Sequence, residues 1–391
     1  MLRSSLERVL APAAAFLAGL AVPCAAALWL GGAGAARAEE IKIEVSRGKQ
    51  QLHVAGEGMR ATEGTDGTAR ALPAKAAHLL SADGEALLLD GKPARTPLLL
   101  RPGPKPLAVE GKLLPGRVEV WAEQGALIVV NALDLEEYVA AVVSSEVPAK
   151  WPAAALQAQA VAARTYAVGQ KIQLGPGARA HLGASVLDQV YAGAAHPQGS
   201  AKAAAEATLG ELLTWDAAPI SAWFSASCGG TGESAEAAFN TPANSTPYAI
   251  SQDDGDADEG YKGLTWTVRR PLGVLSSLLK KQKRLGSELT AIAVAETTGS
   301  GRARTLRLSQ SKGSSVSMSG AEFRQLVGYT ALPSLSFTVR IDHGVAVFTG
   351  RGSGHGVGLC QWGARGRAAR GEGYREILAH YYPGAEIRRM Y

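Results

Sequence analysis

The chain has 391 residues, 46% hydrophobic and 19% charged, which excludes a disordered polymer and leaves room for one large domain with a satellite or for two domains. Its formal charge is +5, of which residues 1–38 carry +2 through Arg3, Arg8 and Arg37 against Glu7, leaving +3 on the body. So small an excess does not argue for nucleic acid, although it suits an anionic polymer.

Residues 1–38 read as an export signal: Arg3 and Arg8 form the basic end, an apolar run follows from Val9 to Leu30, and Ala36-Arg37-Ala38 offers a cleavage site. The run is long for a cleaved signal, so an uncleaved membrane anchor is the alternative. Either way the body is expected in the periplasm or cell envelope. Cleavage leaves Cys228 and Cys360, and an even pair in an oxidising compartment invites a disulfide. Two cysteines make no zinc site without further ligands, of which His355 is the nearest candidate.

Glu39 to about Pro115 reads as a small β-rich region. Residues 41–45 (I-K-I-E-V) alternate at period two, and short apolar segments follow between glycines and prolines. Residues 117–131 read as a hairpin turning near Gln124-Gly125.

The most informative stretch runs from Leu133 to Val168, two helices separated by Pro148 and Pro152. Asp134 is the expected N-cap, with Glu137 completing a capping-box pattern, and Leu135, Val139, Val142 and Val143 fall at helical spacing. Val147 precedes a proline and is pushed out of the α region, so the first helix must stop at about Glu146. Pro152 suits the first turn of the second, alanine-rich helix. Glu146 then sits at a helix C-terminus, where the macrodipole disfavours negative charge, with Val147, Pro148 and Trp151 as apolar cover. Both effects favour the protonated acid, which can act as a proton donor. The plainer reading is a solvated glutamate at a frayed helix end.

Gly175-Pro176-Gly177 ends the second helix, and Ser185 to Tyr191 reads as a strand or extended loop. At 223–234 (W-F-S-A-S-C-G-G-T-G-E-S), Ser227, Cys228, Gly229 and Gly230 lie where the backbone could approach a ligand closely; an ordinary glycine turn is the alternative. Segments between Leu289 and Phe348 alternate as an antiparallel β region, and Lys280, Lys281, Lys283 and Arg284 paint the solvated face of a helix. In residues 350–366 (G-R-G-S-G-H-G-V-G-L-C-Q-W-G-A-R-G), glycines recur at period two from Gly350 to Gly358. An extended chain would thereby lose the side chains of one face, leaving a groove for a bulky polymer. His355 is either a hydrogen-bonding site residue or a packed histidine. After Gln361 and Trp362, a final helix spans roughly Tyr374 to Tyr381 and stops at Pro383-Gly384.

Three of these stretches resemble, in order, the motifs of the sporulation stage II protein D and amidase-enhancer family: residues 135–167, S-C-G-G with T-G-E-S, and G-S-G-H-G-V-G-L-C-Q-W-G-A with the closing H-Y-Y-P-G. The resemblance runs from about Val118 to Ile387 and implies an α+β domain over 116–391, a helical pair carrying the acid against antiparallel β segments. Residues 39–115 are set apart as an N-terminal region. It also implies a lytic transglycosylase acting on peptidoglycan glycan strands, with Glu146 as catalytic acid and Arg164 helping to hold substrate. Ser227, Cys228, Gly229, Gly230, His355, Gln361 and Trp362 would line the substrate site. No cofactor is implied. Many relatives carry a histidine where this chain has Ser225, some using it with cysteines to hold zinc; its absence here argues against a metal and favours contact or a disulfide between Cys228 and Cys360. Ser353 replaces a tryptophan that could stack on sugar. Amidase-enhancer relatives are described as activating a separate wall amidase, so the competing expectation is a regulatory protein. Membrane contact is expected only through an uncleaved N-terminal segment.

Overall fold

The computed structural model describes residues 39–184, 191, 193, 199–242 and 244–391; the expected export segment and residues 185–190 of the expected extended loop lie outside them. The alternation at 41–45 produces the strand Glu40–Lys49, which turns Ile41 and Ile43 into the core. It pairs antiparallel with Ala126–Asp134, and that strand pairs with Arg117–Glu123 across the expected turn. Gln124 and Gly125 adopt φ of 54° and 75°, the left-handed conformations that a tight hairpin demands.

These strands are central to a seven-stranded sheet that continues through Leu98–Arg101, Arg60–Glu63 and Arg70–Ala71. The boundary expected near residue 115 therefore runs through one sheet, and residues 39–115 do not stand apart. The reason is burial. Val118 and Val120 sit in register with Leu100 and Leu98, and all four are fully buried. A second, six-stranded sheet, built from residues 51–114, joins the same core.

Helix α1 (Leu135–Glu146) starts where the capping residue put it: Asp134 Oδ1 accepts from the amides of Glu136 and Glu137 at 2.8 and 3.2 Å. It stops where Pro148 dictates, with Val147 extended at φ −134°. Helix α2 (Ala153–Leu174) begins directly after Pro152 and is rich in buried alanine, so neighbours approach it closely on more than one side. One face joins the sheet core through Leu156, Ala160, Ala163 and Ala167. Another, through Ala158, Val161 and Ala162, packs into a second core containing Cys228, Leu359, Cys360, Ile377 and Tyr382. Helix α2 is thus the shared wall between two cores.

Two short helices follow, α3 (Gly199–Ala207) and α4 (Ala235–Phe239). Residues 265–351 carry a third core. Helices α5 (Leu272–Lys281) and α6 (Gly320–Val327) cover two three-stranded antiparallel sheets, as the alternation between 289 and 348 required. The basic run ends α5 and continues past it, with Lys280 paired to Glu288 and Arg284 to Glu322. Helix α7 (Gln361–Ala369) was not anticipated, because two glycines and two arginines hide its period. Helix α8 (Tyr374–Tyr381) has the expected limits. The architecture is α+β.

Candidate active site

The end of α1 and the start of α7 meet. Gln361 Nε2 donates to Glu146 Oε2 at 3.0 Å, although the two residues are 215 apart in sequence. Glu146 is half-buried at the last turn of α1, and Gln361 is the first residue of α7, almost wholly buried. Beside them Trp151, from the turn between α1 and α2, lies edge-on to Trp362 with centroids 5.1 Å apart. The Tyr261 and Trp362 ring centroids are 5.4 Å apart, and the Arg365 guanidinium lies over the Trp362 ring at 5.1 Å. All three aromatic residues are half-buried. Such a wall suits the apolar faces of sugar rings, and the carboxyl beside it suits their oxygens.

Sequence reasoning placed Glu146, Gln361 and Trp362 in this site, and the fold brings these three together. It missed Tyr261 and Arg365. Tyr261 comes from a turn-rich loop without a motif; Arg365 lies one turn of α7 beyond Gln361, a signal available only once that helix is recognised.

Arg164 does not join the group, contrary to the expected substrate contact. Its side chain is fully buried, and Nε and NH2 grip both oxygens of Glu136 at 2.7 and 2.6 Å. The remaining contacts are to Ala205 O, Thr208 Oγ1 and Glu211 O at 3.1, 3.4 and 3.3 Å. The residue ties α1 and α2 to the segment after α3. A guanidinium so enclosed has no face left for a polymer.

The glycine-rich segments also differ from the expected open groove. Gly352, Gly354, Gly356 and Gly358 have φ between 68° and 107°, so the chain is not extended here. A Cβ at Gly354 would lie 2.4 Å from Ser225 Cβ, and one at Gly358 only 2.2 Å from Trp223 O. The missing side chains therefore admit the protein's own residues Trp223 and Ser225 rather than a ligand. Ser227 and Ser353 exchange backbone hydrogen bonds, and Phe224–Ser225 pairs in parallel with Leu359–Cys360. Ser227 and Cys228 are buried, the former with its hydroxyl on Asp258 Oδ2 at 2.5 Å. Gly229 and Gly230 are half-buried at φ of 77° and 94°, and Gly229 N donates to the same Asp258 oxygen at 2.8 Å.

His355 packs edge-on against Phe239 with centroids 5.2 Å apart. Its Nδ1 accepts from Val357 N at 3.0 Å, and burial with the nearby Arg324 and Arg302 charges pushes its pKa down to about 3. It is a neutral, packed histidine and not part of the cysteine cluster, which corrects its candidacy as their partner in a metal set. The two cysteines are free thiols, not a disulfide, but they are neighbours: Cys228 N donates to Cys360 Sγ at 3.2 Å.

A family model described as Stage II sporulation protein matches residues 123–215, the span holding the hairpin turn, α1 and α2. Stage II sporulation protein D of Bacillus amyloliquefaciens is 31% identical over 278 residues, covering 66% of this chain and 75% of that protein. An uncharacterised protein of Brachyspira hyodysenteriae is 34% identical over 262 residues, covering 67% of this chain and 68% of its own. The amidase enhancer of Bacillus subtilis is 29% identical over 289 residues, which make up 63% of this chain but only 39% of that longer protein. With the ordered motifs, the paired helices and relatives matched over most of their length, this chain belongs to the stage II sporulation protein D and amidase-enhancer family.

Proposed function

We propose that this protein is an exported lytic transglycosylase that cleaves peptidoglycan glycan strands between N-acetylmuramic acid and N-acetylglucosamine. The observation that carries the reading is the half-buried Glu146 carboxyl, held by Gln361 beside the Trp151, Trp362 and Tyr261 rings. The rings stack on successive sugars and aim one glycosidic oxygen at Glu146. Protonated Glu146 gives its proton to that oxygen as the bond to muramic C1 breaks. The muramic 6-hydroxyl closes on C1, and the Glu146 carboxylate takes the hydroxyl proton, which restores the acid and leaves a 1,6-anhydro end. No water is consumed, so one carboxyl performs both proton transfers where hydrolysis generally uses a pair. The Gln361 amide keeps the reacting oxygen aligned in both protonation states, since an amide can donate to a carboxylate or a carboxylic acid alike.

The test is incubation of the purified protein with peptide-stripped glycan strands, followed by mass spectrometry of the chain ends. Anhydromuramic ends from the wild type, reduced at least ~100-fold in Glu146→Gln, are expected. No such ends, or equal amounts from both proteins, would refute the assignment. One relative's printed name, amidase enhancer, favours a second reading in which the protein stimulates a cell-wall amidase. Stimulation of an added amidase by wild type and Glu146→Gln alike, without anhydro ends, would establish that role instead.

A further inference from the structure

The core behind the candidate site contains a cluster that the proposed reaction does not use. Cys228 Sγ, Cys360 Sγ and a carboxylate oxygen of Asp254 lie within 4.8 Å of one another, and the three residues are 3%, 1% and 5% exposed. Asp258, fully buried, directs Oδ2 at both sulfurs, 3.7 Å from Cys228 and 3.8 Å from Cys360. Its other oxygen, Oδ1, is buried and finds no hydrogen-bond partner among the described residues. A buried carboxylate oxygen without a partner is costly and calls for a cation or a donor.

We propose that Cys228, Cys360 and Asp254 form a structural zinc site, with the Asp258 carboxylate close against both sulfurs. A tetrahedral zinc ion places sulfur at about 2.3 Å and carboxylate oxygen at about 2.0–2.2 Å, which sets its ligands roughly 3.3–3.8 Å apart; the ligand atoms of these three residues lie within 4.8 Å of one another. Thiolates select a borderline-soft ion over calcium or magnesium. Charge agrees. Two thiolates and two carboxylates are balanced by the divalent ion together with Arg367, whose Nε donates to Asp254 Oδ1 at 3.2 Å, and Arg302, which donates to Cys228 O at 2.7 Å. Cys360 Sγ accepts two backbone amides, Cys228 N at 3.2 Å and Gly363 N at 3.3 Å, as thiolate ligands do. Tyr381 OH, 3.0 and 2.8 Å from the two Asp254 oxygens, and His380 Nε2 at 3.4 Å orient that carboxylate from behind. A disulfide would join the sulfurs but leave the buried carboxylates without the thiol donors they now face.

This ligand set differs from one built on a histidine before S-C-G-G: Ser225 stands there and accepts from Gly356 N at 3.2 Å. The ion would clamp the loop carrying Asp254 and Asp258 to the N-cap of α7, next to Gln361. Its role is to hold that helix start, not to touch substrate.

The test is direct. Purified wild-type protein, reduced and exhaustively dialysed, is assayed for zinc by elemental analysis, then stripped with a chelator and reloaded with cobalt. One zinc per chain and the intense thiolate-to-cobalt absorption of a tetrahedral site are expected. Cys360→Ser should lose the metal, and Asp254→Asn, which keeps the side-chain shape, should weaken it at least about tenfold. A reduced wild type that takes up neither ion, or a Cys228→Ser/Cys360→Ser variant that retains zinc as tightly as wild type, would overturn the site. Neither readout depends on transglycosylase activity.

Discussion

Replacing Arg164 by methionine separates two roles that a motif arginine could play. The change preserves side-chain bulk but removes the bidentate ion pair with Glu136 and the donors to Ala205 O, Thr208 Oγ1 and Glu211 O. Breaking a buried ion pair by deleting one member costs about 3–5 kcal/mol. Here Glu136 keeps some solvent, its side chain being 21% exposed, and Tyr391 OH remains on its Oε1 at 2.5 Å. That relief favours the lower end, about 3 kcal/mol. The cost falls on the junction of α1, α2 and the segment after α3, so unfolding should begin there. Urea unfolding followed by far-ultraviolet circular dichroism should show the midpoint displaced by that amount, while the folded variant retains the wild-type KM for glycan strands. Stability within about 1 kcal/mol of wild type together with a raised KM would refute the structural role and return Arg164 to the substrate site.

Other perturbations follow from the same geometry. Gln361→Leu removes the donor to Glu146 at similar volume and should lower kcat roughly tenfold with little change in KM; an unchanged kcat in a turnover assay would show that the hydrogen bond is idle. Trp362→Ala removes the centre of the aromatic wall and should raise KM for glycan about 2–10-fold, whereas equal KM would deny the wall any role in holding sugar. Gly358→Ala forces a Cβ against Trp223 O at 2.2 Å and φ of 68°, so soluble expression should fall sharply; a normally folded variant would contradict the close packing described. His181, buried and beside Lys171 and Lys42, has its pKa depressed to about 4, so the native state favours its neutral form. Stability from this group is complete above about pH 6.5 and is lost as pH falls toward 4. His181→Phe should flatten the stability profile in that window, and an identical slope in the variant would exclude the histidine as its source.

Local rules made much of the site legible. The limits of α1 follow from Asp134 and Pro148, each acting on its immediate neighbours, and the helix end that carries Glu146 was fixed by them. The hairpin at Gln124-Gly125 and helix α8 were readable for the same reason. The period-two glycines misled, because composition alone does not tell whether a missing Cβ makes room for a ligand or for the chain itself; Ser225 and Trp223 occupy that room. Arg164 was visible as a motif residue, but its enclosure depends on Glu136, Ala205 and Glu211, which only the tertiary fold assembles. Nor could sequence spacing show that Gln361 meets Glu146, or that Asp254 and Asp258 face the two cysteines. Residues 39–115 read as a separate region because most of their strands pair among themselves, but Glu40–Lys49 and Leu98–Arg101 pair with strands beyond residue 115.

The central claim is that a single carboxyl, Glu146, breaks the glycan by internal ring closure. Digestion of peptide-stripped strands in water enriched in heavy oxygen tests it most directly. The account predicts unlabelled anhydromuramic ends, each lighter than a hydrolysed end by one water, and their loss in Glu146→Gln. Heavy oxygen at new reducing ends, or undiminished anhydro product from the variant, would contradict it.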